Sequence, residues 1–174
     1  MPADTPKPYD SAALKQVLIH NLNRLYFSKC YLNGHLSHLI GRASFPALQM
    51  AMEEFWEDIQ RQIKRLQLVY DLLNEIPSDK NCNPIKAIIK DGFCLDDDQD
   101  MDIFIDADII AYMQLLEHIN ITTCRTLKMI ASMLKNEQAE QLLTECFDES
   151  IDNDHLFLLI SKEYFANEVS SIED

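Results

Sequence analysis

The chain has 174 residues, of which 47% are hydrophobic, with only 3 Gly and 6 Pro. That length suits one domain with a real core, and so few turn formers exclude a sandwich or barrel of many short strands. The net charge of −14, from 29 acidic against 15 basic residues, excludes a nucleic-acid surface and argues equally against anionic lipid.

Residues 1–10 carry three prolines and read as a loose tail. Met1-Pro2-Ala3-Asp4 lacks a basic stretch followed by an apolar one, so no secretory leader is expected. Ser11 fits a helix N-cap. From there Leu14, Leu18, Leu22, Leu25, Leu32, Leu36 and Ile40 recur at helical spacing. A stripe that long is typical of a bundle helix. Gly41 to Pro46 breaks it, with Ser44 placed to cap the second helix and Pro46 in its first turn. Leu48, Met52, Phe55, Ile59, Leu66, Tyr70 and Leu73 form the inward stripe of that helix, and Glu53, Glu57, Arg61 and Lys64 its solvated face.

Residues 78–101 read as a long crossover with a short helix from Ile85 to about Lys90. The third helix is expected over Asp102 to Leu134 and the fourth over Glu137 to Asn167, with 168–174 frayed. No run of about 18 apolar residues occurs, so no membrane span is expected. Two hairpins joined by one long crossover make an all-α, ferritin-like antiparallel four-helix bundle over 11–167.

The five cysteines are Cys30, Cys82, Cys94, Cys124 and Cys146. An odd number without C-x-x-C spacing fits neither a disulfide framework nor a zinc site, so reduced thiols and a cytoplasmic location are expected. Cys124 and Cys146 fall on inward stripes as small core residues. Cys30 follows Lys29, which would lower its thiol pKa if the group were exposed. His35 and His38 have no acid within a turn on their helix. Asp96, Asp98, Asp100 and Asp102 alternate as in a calcium loop, but the sixth and twelfth places hold Met101 and Ala107 rather than Gly and Glu.

Several segments resemble the YciE/YciF family of ferritin-like proteins. They are Leu25-Tyr26, Gln62-Ile63-x-Arg65-Leu66, Cys82-x3-Lys86-Ala87-Ile88-Ile89-x-Asp91-Gly92, Asp106-Ala107 with Gln114-x-x-Glu117-His118, and Leu142-Leu143 with Asp148-Glu149. The resemblance implies the bundle fold, an association with bacterial stress and a carboxylate-rich site like a di-iron centre.

At the positions the resemblance assigns to that site, Lys29 stands for a family Glu and Phe55 for a His. Asn120 and Ser150 stand where further ligands or their partners are expected. The remaining candidate ligands are Glu54, Asp58, Glu117, Glu149 and Asp152. Two-metal sites need several inward carboxylates from all four helices, so this set is expected to be degenerate. Lys29 would instead form a buried ion pair or triad with Glu117 and Glu149, since two buried carboxylates without a cation repel. The resulting expectation is a non-catalytic, stress-associated protein without cofactor, acting as a homodimer or on a protein partner. Phe27, Tyr31, Leu39, Trp56, Leu68 and Tyr112 are its candidate seam. The alternatives are an iron- or manganese-binding oxidoreductase or iron-handling protein with an altered site, and a helical adaptor.

Overall fold

The computed structural model describes residues 10–81, 83–92 and 101–172, and within them it is all helical. Residues 1–9 of the tail expected over 1–10, the alternating acids from Asp96 to Asp100, and Cys82 and Cys94 lie outside the described residues. Helix α1 spans Ser11–Asn33 and is capped not by Ser11 but by Asp10, whose side chain accepts from the Ala13 N–H at 2.7 Å. The long first stripe is two helices rather than one. Gly34, a poor helix former, closes α1 by donating to the Cys30 and Tyr31 carbonyls, and α2 restarts over Leu36–Arg42.

Helix α3 spans Pro46–Leu73 and stops where Asn74 turns left-handed at φ 52°, three residues short of the expected Ile76. Its N-cap residue is Phe45, and Ser44 does not cap it with its own side chain. Asp106 on a distant helix takes that role. Its carboxylate accepts from the Ser44 N–H (2.8 Å), the Ser44 hydroxyl (2.6 Å) and the Phe45 N–H (3.0 Å). A short α4, Pro84–Gly92, packs on α1 within the crossover. Helices α5, Asp102–Met133, and α6, Glu137–Ile172, form the second hairpin, and α6 runs past Asn167.

The four long helices pack in a ring: α1 against α3 and α5, and α6 against α3 and α5. Cross-helix pairs fix the register. Tyr26 meets Gln67 and Asn33 meets Trp56 between α1 and α3. Arg65 meets Glu149 and Phe55 meets Phe157 between α3 and α6. In both pairs one residue number rises as the other falls, so neighbours run antiparallel and α3 and α5 run the same way. The connection between α3 and α5 must therefore travel the length of the molecule, which is why it is long.

Candidate functional site

The core is two apolar clusters, not one. Leu32, Met52, Phe55, Ile59, Met113, Leu116 and Phe157 belong to the first. Leu18, Leu22, Leu25, Leu66, Tyr70, Cys124, Leu127, Leu143 and Cys146 belong to the second. On each long helix the residues between the two sets are polar and buried: Lys29 on α1, Gln62 on α3, Glu117 and Asn120 on α5, Ser150 and Asn153 on α6. The register puts them at one level. Lys29 and Gln62 lie between the Tyr26–Gln67 and Asn33–Trp56 contacts. Gln62 and Ser150 lie between the Arg65–Glu149 and Phe55–Phe157 contacts. A polar layer thus divides the bundle core.

Glu117 is fully buried, and Asn120 donates to its Oε1 at 2.8 Å. Burial raises the Glu117 pKa, and the nearby Lys29 ammonium works against that rise, as do Ser150 and Asn120. Lys29 is 1% exposed. Its charge also acts on the thiols of Cys124 and Cys146, but burial dominates there and pushes them up to about 12 and about 11.

The other sequence candidates part from this layer. Glu149 does not join Lys29, and Lys29 Nζ and Glu117 Oε2 have no hydrogen-bond partner among the described residues, so neither the expected triad nor a direct Lys29–Glu117 pair forms. Its carboxylate meets Arg65 Nη1 at 2.7 Å and Arg61 Nε at 3.7 Å on α3. A guanidinium at the rim reaches it without the desolvation that a place beside Lys29 would impose. Asp58 is buried but bound by Arg61 one turn along its own helix. Glu54 and Asp152 are exposed. The five acids therefore do not converge. Phe55 is fully buried against Phe157 in the first apolar cluster, ring centroids 5.4 Å apart. Among the described residues, no group of three or more His, Cys, Asp or Glu side chains is arranged to hold a metal ion.

Smaller features resolve similarly. His118 is mostly exposed and reaches the neighbouring helix α6, 3.5 Å from Asp154. His35 Nδ1 lies 2.7 Å from the Tyr31 carbonyl, and His38 and His155 are exposed. The Cys30 thiol is raised by burial, with Tyr26 opposing, so Lys29 does not activate it. Of the seam candidates Leu68 is exposed, Phe27, Tyr31, Trp56 and Tyr112 are half-buried, and Leu39 is core.

Among the described residues, Gln62, Asn153, Asp106, Asn23 and Ser28 are the buried polar groups that the sequence reading did not single out as site residues. The first two left a signal. Each interrupts an apolar stripe, Ile59–Gln62–Leu66 and Cys146–Ser150–Asn153–Phe157, at the place where a core residue would be expected. Asp106 pairs across 62 positions, and local spacing carries no trace of that.

Comparison with known proteins agrees with this architecture. The sequence model of the family described as "Domain of unknown function (DUF892)" matches residues 13–169. The chain belongs to the DUF892 family. Protein YciF of Escherichia coli (strain K12) is 26% identical over 137 residues, covering 78% of this chain and 82% of its own. The crystal structure of the E. coli stress protein YciF superposes with a TM-score of 0.78 at 25% identity, covering 84% of this chain and 93% of that one. YcfI of Rhodopseudomonas palustris superposes with a TM-score of 0.77, also at 25% identity, over 88% and 96% of the two chains. The YciE/YciF resemblance is therefore borne out, and these two solved structures share the helical fold along nearly their whole length.

Proposed function

We propose that this DUF892 protein is a non-catalytic, stress-associated member of its family that has lost the di-metal centre and keeps the bundle. The observation that carries this reading is Lys29, a buried ammonium facing Glu117 in the layer where inward carboxylates would gather. A fixed positive charge there opposes a second cation. The remaining donors are one carboxylate, two side-chain amides besides Asn120, and a hydroxyl, a poor set for iron or manganese, which take clustered carboxylates and imidazoles. The stress association follows YciF, which is described as a stress protein. In this reading the protein is cytoplasmic and acts through its surface as a homodimer, with exposed Leu68 in the contact.

Elemental analysis of protein grown with added iron and manganese tests it. Less than a tenth of an equivalent of either metal is expected. Stoichiometric metal that disappears in Glu117→Ala overturns the proposal in favour of an altered iron or manganese site. Lys29→Glu should raise metal content if the ammonium is what excludes it. Light scattering at micromolar concentration checks the dimer.

A further inference from the structure

Six buried side-chain atoms of the polar layer make no hydrogen bond of ordinary geometry among the described residues, although Ser150 lies near enough to Glu117 to lower its pKa. They are Lys29 Nζ, both amide atoms of Gln62, Glu117 Oε2, Ser150 Oγ and Asn153 Nδ2. Their residues are each 3% exposed or less, and they come from all four long helices. Elsewhere in the described structure only Arg24 Nε and Asp154 Oδ1 share this condition, and the latter faces His118 at 3.5 Å. The unpartnered groups are thus concentrated at one level of the bundle.

Leaving a buried polar group unpaired is costly, so six together are incompatible with a dry layer in a marginally stable domain. We infer that the layer holds a small cluster of internal water that bridges the Lys29 ammonium to the Glu117 carboxyl and ties in Gln62, Ser150 and Asn153. Internal waters make about three hydrogen bonds each, so roughly two suffice for six atoms.

The mixture of donors and acceptors selects water over an ion. Lys29 Nζ, Gln62 Nε2 and Asn153 Nδ2 only donate, Gln62 Oε1 only accepts, and Ser150 does both. A small anion would satisfy the donors but would stand against the Glu117 carboxyl and leave Gln62 Oε1 unmet. A cation would stand against Lys29. Water meets both kinds of group and carries no charge into a layer that already contains an ammonium and a carboxyl. This inference rests on the metal-free reading, because a metal in the layer would take the same space.

The test counts long-lived internal waters in the full chain by oxygen-17 magnetic relaxation dispersion, in the parent and in Gln62→Leu/Ser150→Ala. The parent is expected to show about two more such waters than the variant. An equal count in a variant with unchanged circular dichroism overturns the inference. Should the variant not fold, a parent crystal structure that resolves ordered solvent decides. Water within hydrogen-bonding distance of both Lys29 Nζ and Glu117 Oε2 supports the cluster. Direct contact between those two atoms, or a bromide peak in their place after a halide soak, overturns it. Iron or manganese in the same crystals overturns the metal-free reading itself, whereas a dry, metal-free layer overturns the water cluster alone.

Discussion

Asp106 on α5 holds the start of α3 by accepting from both the backbone N–H and the hydroxyl of Ser44. With the Phe45 N–H it gathers three donors on a side chain that is fully buried. The first N–H groups of a helix need partners, and Phe45 cannot supply one from its side chain. One carboxylate therefore both caps α3 and joins the two hairpins. Hydrogen bonds to a charged group contribute about 1.5–3 kcal/mol each, and a lost partner leaves the others buried and unmet. Asp106→Ala is expected to lower stability by about 3 kcal/mol, measured by urea unfolding. Ser44→Ala, which leaves both N–H contacts, should cost about 1 kcal/mol.

Lys29 and Glu117 make stability depend on pH in a particular direction. Burial raises the Glu117 pKa above its ordinary 4.5, with Lys29 opposing. A carboxyl raised in the fold binds its proton more tightly there than in the unfolded chain. Its contribution is therefore complete below its ordinary pKa and is lost as pH rises through the window above it. Lys29→Met removes the opposing charge, raises Glu117 further and deepens that loss. The variant should be as stable as the parent near pH 4 and about 1–3 kcal/mol less stable at pH 8, because the ionised Glu117 then has no nearby cation. Lys29→Met/Glu117→Leu should recover most of the deficit, because neither charge is then buried. Guanidinium unfolding of the four proteins of the cycle across pH reads both effects.

Much of this molecule is legible in its residue pattern. Apolar positions repeating from Leu48 to Leu73 mark the buried side of α3, because a helix that must cover a core shows its period. The break in the first stripe at Gly34 was less visible, since apolar residues continue on both sides of it and Leu36 stays buried in α2. In the candidate site, the inward places of Lys29 and Glu117 follow from the same period. The partner of Glu149 does not. Arg65 lies 84 positions away and reaches it only through the α3–α6 register, which no local spacing specifies. Likewise Glu54 and Asp152 lie about one residue away from the inward stripe, and a rotation of about 100° per residue turns such a position to solvent.

The Arg65 guanidinium spans Glu145 at 2.9 Å and Glu149 at 2.7 Å, with the Arg65 and Glu149 side chains about a fifth exposed. This pair lies between the exposed class, which contributes at most about 1 kcal/mol, and fully buried ones. Its planar fork reaches two carboxylates at once, which a lysine cannot reproduce. Arg65→Lys is expected to lower the melting temperature by a few degrees, roughly 1 kcal/mol. Part of that difference should vanish in 1 M salt, where the Debye length shrinks to about 3 Å. Equal melting points at low salt would show that Glu149 gains nothing from the fork.

Cys124 and Cys146 sit at the edge of the second apolar cluster next to the polar layer, both fully buried. Burial pushes their thiols up to about 12 and about 11 despite the Lys29 charge nearby. The thiolate is the reactive species, so both should be inert at neutral pH while the bundle is folded. Mass spectrometry after brief iodoacetamide treatment at pH 8 is expected to find Cys124 and Cys146 unmodified and Cys30, which is half-buried, partly modified. Denaturant should expose all three together, since α1, α5 and α6 all contribute to the second apolar cluster. If Cys146 is modified well below the unfolding midpoint, α6 opens separately from the rest. In that case the polar layer would be a weak seam in the fold, not a fixed part of its interior.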